Sequence, residues 1–192
     1  MLKDLVRASR SYRRFDQSTP IPMHDLVDLV DLARLCPSAA NKQPLRFILC
    51  SNPEDNARIF ECLKWAGYIP DWGGPKDGER PGAYIVIVNT AKSWEFAKHD
   101  QGIMAQTMML GAVEKGLGGC MLGAVDRDKL GPILGLEDGQ EICLVLALGK
   151  PVEDVRIIEL PEDGSIKYYR DEAGVHYVPK RGLDELILKK LG

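Results

Sequence analysis

Aliphatic side chains at Leu2, Leu5 and Val6 recur at the three-and-four spacing of a short amphipathic helix, LKDLVRAS. Pro20 and Pro22 then break the chain. The spacing resumes through Leu26, Val27, Val30 and Leu35 in MHDLVDLVDLARLC, a second helix that Pro37 ends. A polar loop, SAANKQP, leads into LRFILC, whose alternating and β-branched character predicts a strand. Residues 54–67 predict a third helix, with Ile59, Leu63 and Ala66 on one side. AYIVIVNT and EICLVLALGKP predict buried strands, the second ended by Gly149 and Pro151. Between them, SWEFAKHDQGIMAQTMMLGAVEKG is the longest helical pattern. It is apolar nearly all round from Ile103 to Val113, which predicts a helix central to the core. A last run, LDELILKKL, predicts a short helix in the tail.

Residues 67–82, GYIPDWGGPKDGERPG, are too rich in Gly and Pro to stay regular for long. The segment carries Tyr68 and Trp72, so it is either a lid over a planar ligand or an ordinary surface excursion. Strands and helices are mixed, with too few strand–helix–strand units for a doubly wound sheet. The pattern predicts an α+β sandwich, with helices packed on a small sheet. There is no internal repeat and no low-complexity segment.

Composition narrows the class. At 192 residues and 45% hydrophobic, the chain suits one well-filled domain, and no Ser/Gly/Pro-rich linker divides it. A formal net charge of -3 argues against nucleic acid as a partner. No apolar run approaches the ~20 residues that span a bilayer, and MLKDLVRASR lacks the apolar core of a signal peptide. The expectation is a cytoplasmic protein with no membrane partner. Five cysteines, Cys36, Cys50, Cys62, Cys120 and Cys143, lie far apart with no CxxC pair, which reads as buried thiols in a reducing cytosol. His24, His99 and His176 show no metal-ligand spacing, so no metal is expected. His99 beside Asp100 could orient a general base for Cys120, but nothing in the sequence places them together.

Four segments carry candidate chemistry. SRSYRRF sets Arg10, Arg13 and Arg14 close together in an acidic chain, and guanidinium forks suit phosphate through paired, charge-assisted hydrogen bonds. PSAANKQP offers Ser38, Asn41 and Gln43, neutral groups able to read the edge of a heterocycle. In GLGGCMLG the glycines follow a helix and miss the dinucleotide-loop spacing. Gly118 and Gly119 therefore either form a helix cap and turn or let the backbone approach a planar ring. Lys180 and Arg181 give the tail a basic pair.

Taken in order, SRSYRRF, ARLCPSAANKQPLRF, GLGGCMLGA and LGKP before a tail with PKR resemble the FMN-dependent nitroreductase family along nearly the entire chain. The resemblance implies a nitroreductase-like sandwich with a mainly antiparallel sheet flanked by helices, assembled as an interlocked homodimer with two FMN molecules at the interface. It implies one domain over 1–192, with 152–192 a C-terminal extension packing on the partner subunit. Arg10, Ser11 and Arg13 would hold the FMN phosphate with Lys180 and Arg181, whereas Arg14 would face solvent. Pro37, Ser38, Ala39 and Asn41, with Gln43, would approach the flavin of the other subunit, and Gly118 and Gly119 would lie along its rings. The implied activity passes hydride from NADH or NADPH through the flavin to nitroaromatics, quinones or similar small acceptors. No side chain is needed as a catalytic acid or base. Within the fold, flavin-destroying, dehalogenating and azoline-oxidising enzymes are alternatives, and a flavin store or sensor is the alternative outside catalysis.

Overall fold

Strand pairing fixes the centre of the molecule. The computed structural model describes residues 1–70, 72–91 and 95–192. By internal contacts the chain forms two compact units, Met1–Trp65 with Gly73–Val152, and Ala66–Trp72 with Glu153–Gly192. In the first unit β3 (Ala83–Asn89) is buried along its whole length, as a continuous apolar run requires. It pairs antiparallel with β2 (Leu45–Cys50) and with β5 (Glu141–Pro151). β5 is the longest strand of the sheet, and also pairs antiparallel with β4 (Gly118–Leu122) and, at its end, with β1 (Phe15–Asp16). Gly149 does not end β5, and Pro151 is its last residue. The strand runs through Gly149, which faces Gly118, as far as Pro151, which faces Phe15 across the ladder.

Helices cover this sheet where their apolar stripes require. Leu26, Leu29 and Ala33 of α2 (Met23–Arg34) join Met104, Met108 and Ala112 of α4 (Ala97–Glu114) over Ile85, Ile87, Leu146 and Leu148. Residues of the opposite parity, Tyr84, Val86 and Val145, are buried as well. There α3 (Pro53–Phe60) contacts β3 and α5 (Arg127–Ile133) contacts β5. The predicted start of the long helix at Ser93 lies outside the described residues, and its end comes at Lys115 with Gly116 in the left-handed region at φ 74°. α1 (Leu2–Ala8) forms as expected. α3 stops seven residues before the pattern does, because Leu63 bridges Val125 and Ala66 sits at φ 42°. Helices on an antiparallel sheet make this the expected α+β sandwich.

The second unit has a three-stranded sheet of its own. β6 (Val155–Glu159) lies parallel to β8 (His176–Lys180), and β7 (Tyr169–Arg170) pairs antiparallel with β8. Beneath it the buried Glu153 carboxylate accepts from Arg170 Nε and Nη2 (3.1 and 2.5 Å) and lies 3.3 Å from His176 Nδ1. Tyr68 and Trp72 of the Gly/Pro-rich excursion belong to this unit. The Tyr68 N–H donates to Tyr168 Oη (3.4 Å), and the Arg170 guanidinium lies 4.2 Å above the Trp72 ring. The last helical run is only one turn, α6 (Leu183–Leu186).

Candidate functional site

SRSYRRF is stitched between the end of α1 and the start of β4. The last turn of α1 leaves carbonyls without helical partners, and Arg10 Nη2 donates to Val6 O (2.6 Å) while Tyr12 Oη donates to Ala8 O (3.1 Å). Ser11 bridges Gly119, and the Tyr12 N–H donates to Gly119 O (2.9 Å). Two of the four sequence segments are thereby brought side by side. Arg13 is 9% exposed, with Nη1 donating to Ser11 O at 3.2 Å. Arg10 Nε is buried with no hydrogen-bond partner, and no carboxylate pairs with Arg10 among the described residues. A buried donor left so costs about 1–3 kcal/mol, and an anionic oxygen is the acceptor that suits it best.

Arg14 departs from expectation. Instead of facing solvent it forks onto Glu79, with Nε and Nη2 2.9 and 2.6 Å from the two carboxylate oxygens. It ties the SRSYRRF stretch to the segment before β3.

Within GLGGCMLG the roles divide: Gly116 caps the long helix, whereas Gly118 and Gly119 are neither cap nor turn and open β4. Both need to be glycine for reasons internal to the chain. A Cβ on Gly118 would come within 2.6 Å of Tyr12 and Pro151, and one on Gly119 within 2.3 Å of the Ala147 carbonyl oxygen.

The PSAANKQP loop joins α2 to β2 through a 3-10 turn at Ala39–Asn41. Ala40, Asn41 and Gln43 hold φ of 50°, 53° and 48°, a left-handed conformation that costs a non-glycine residue of order 1 kcal/mol or more. Ser38 Oγ donates to Asp100 Oδ2 (2.6 Å) and accepts from the Gln43 N–H (2.9 Å), and the Ala39 N–H donates to Asp100 Oδ1 (3.2 Å). Ser38 is thus spent inward, whereas Pro37, Asn41 and Gln43 are exposed. The sequence raises Asp100 only as a neighbour that could orient His99, with nothing to place the pair beside Cys120. His99 instead lies edge-on to Phe96, with centroids 5.7 Å apart, and Asp100 serves the loop. The acid in the first turn of the long helix was the missed signal.

Lys180 closes β8 and Arg181 follows it, both exposed, with Arg181 Nη1 2.8 Å from Glu185. All five cysteines are free thiols. Burial raises the pKa of Cys50, Cys62 and Cys143, which keeps them protonated and unreactive. Among the described residues no group of three or more His, Cys, Asp or Glu could hold a metal ion, and no helix is long and apolar enough to cross a membrane.

The sequence model of the nitroreductase family matches residues 6–150. An iodotyrosine deiodinase of Thermotoga neapolitana is 23% identical, over 92% of this chain and 97% of its own. Among solved structures, a nitroreductase family protein of Streptococcus pneumoniae superposes with a TM-score of 0.72 at 16% identity, covering 99% of this chain and all of its own. An FMN-dependent nitroreductase of Clostridium difficile gives a TM-score of 0.66 at 19% identity, over 78% of this chain and 87% of its own.

Proposed function

Since the chain belongs to the nitroreductase family, whose members are flavin-dependent oxidoreductases, we propose that it is an FMN-dependent NAD(P)H oxidoreductase acting on nitroaromatic, quinone or similar small acceptors. The observation that carries the reading is Arg10 Nε, buried without an acceptor beside Ser11 and Arg13, where the motif order puts a phosphate. FMN phosphate bears about two negative charges near neutral pH, as a phosphoserine does. Arg10, Ser11 and Arg13 fit it, and on the resemblance we add Lys180 and Arg181 as phosphate contacts and Gly118 and Gly119 as backbone beside the rings. When bound, FMN supplies hydride and electron transfer, which asks no acid, base or metal of the protein. The side chains of this chain then have the work of binding and orientation: guanidinium groups neutralise the phosphate, and the Asn41 and Gln43 amides read the polar edge of the ring.

Purified protein is expected to be yellow. Absorption bands of flavin should be present on isolation or appear after incubation with FMN and gel filtration, and their absence in both cases would remove the proposal. Arg13→Ala should weaken FMN by about 2 kcal/mol, the scale of a hydrogen bond to a charged partner, or roughly thirty-fold. Riboflavin lacks the phosphate and should bind the variant as it binds the parent. Equal weakening of the two would make Arg13 structural.

We also read the protein as a cytoplasmic homodimer with a composite site, in which 152–192 extends one FMN-binding domain onto the partner. What favours this is apolar surface with no cover of its own: in the tail Leu188 and Leu191 are 98% and 81% exposed, and Leu183 and Leu186 are exposed as well. The five free thiols favour a reducing compartment. A second reading, reductive dehalogenation, is favoured by the Thermotoga deiodinase, whose likeness extends beyond residue 150 into the tail. Iodide release from iodotyrosine under reducing conditions, compared with NAD(P)H consumption with a nitroaromatic, separates the two.

A further inference from the structure

Asp100 is 1% exposed and stands in the first turn of α4, an eighteen-residue helix whose positive N-terminal end suits a carboxylate. No basic side chain pairs with it among the described residues. Its two oxygens instead each take one donor from the PSAANKQP loop, the Ser38 hydroxyl and the Ala39 N–H, and Ser38 Oγ passes the link on to the Gln43 N–H. Both ends of the 38–43 turn are thereby fastened to one buried carboxylate. Within that turn three non-glycine residues hold left-handed backbone, a conformation that persists only where surrounding contacts impose it.

We propose that Asp100 is a positioning residue: it holds the loop in this left-handed form and so aims the exposed Asn41 and Gln43 amides at the ring system of the flavin bound across the subunit interface. This rests on the reading of the chain as an FMN-binding dimer. The two loop donors are taken by different oxygens of the carboxylate. An amide at this position would offer one oxygen and turn an N–H₂ toward another donor, so the link is specific to the acid.

The test uses Asp100→Ala, Asp100→Asn and Ser38→Ala, with FMN and riboflavin titrated by quenching of flavin fluorescence. Amide exchange is measured on the flavin-free proteins. Each variant should lose exchange protection at Ala39 and Gln43 while β3 and β5 keep theirs. Asp100→Ala should weaken FMN and riboflavin by the same factor, about tenfold, because the loop serves the ring and not the phosphate. Arg13→Ala gives the opposite signature, weakening FMN alone. Ser38→Ala removes the same link with a milder change, and carries the test if Asp100→Ala does not fold. Unchanged affinity for both flavins in a folded variant would overturn the proposal, as would weakening of FMN without riboflavin. If the parent bound no flavin, the function proposed above would fall; unaltered exchange at Ala39 and Gln43 would separately sink the positioning of the loop.

Discussion

Arg13→Ala and Asn41→Ala, each unable to bind FMN well as a homodimer, are expected to recover about a quarter of the sites when refolded together. The number follows from geometry. If one subunit supplies Arg13 and the other supplies Asn41 to the same flavin, a mixed dimer has one site with both lesions and one with neither. Random exchange makes half of the dimers mixed, and half of their sites are intact. The measurement is bound flavin after gel filtration, at an FMN concentration that fills the parent but neither variant. Mixed dimers that recover nothing would put both segments on one chain's site, and a monomer by light scattering would remove the composite site altogether.

Gly119→Ala is expected to lower stability by about 3 kcal/mol, at the upper end of ordinary overpacking. The added Cβ would lie 2.3 Å from the Ala147 carbonyl oxygen, and that oxygen belongs to β5, which three other strands hold in register. A side chain could rotate away; this strand cannot move without its neighbours. For a chain of this size the loss corresponds to roughly 10 °C in melting temperature. Gly123→Ala is the control, because its Cβ would meet only the Leu144 Cδ1 at 4.0 Å. Urea unfolding of the two variants decides the matter, and equal midpoints would show that β4 can shift on β5 after all.

What could be seen in the sequence was decided by how much of each element's stability is local. β3 and β5 contain continuous apolar runs, β2 has an alternating and β-branched pattern, and α2 and α4 repeat their apolar positions over several turns, so pattern alone finds them. β4 escaped because Gly118 and Gly119 have poor strand propensity, and it exists by virtue of pairing with β5. α5 escaped because it is short and holds Pro132. The tail sheet escaped because its strands are only two and five residues long, and because β6 pairs parallel with β8 about twenty residues further on. Of the candidate site, the arginine stretch and the amide loop were visible as residue types. The link between Ser11 and Gly119, the turning of Arg14 to Glu79 and the hold of Asp100 on Ser38 are contacts between distant segments, and those only the fold supplies.

The order in which the chain is made bears on the excursion that carries Tyr68 and Trp72. β5 ends at Pro151, so every strand of the five-stranded sheet precedes the tail in the chain. Tyr68 and Trp72 pack on Tyr168 and Arg170, about a hundred residues further on. At roughly 5–20 residues per second, they wait on the order of 5–20 seconds for partners to be synthesised. Through that interval two aromatic rings are without the contacts of the finished protein. A nascent chain stopped anywhere before residue 168 would therefore still lack the partners of both rings and leave the aromatic segment open to chaperones and proteases.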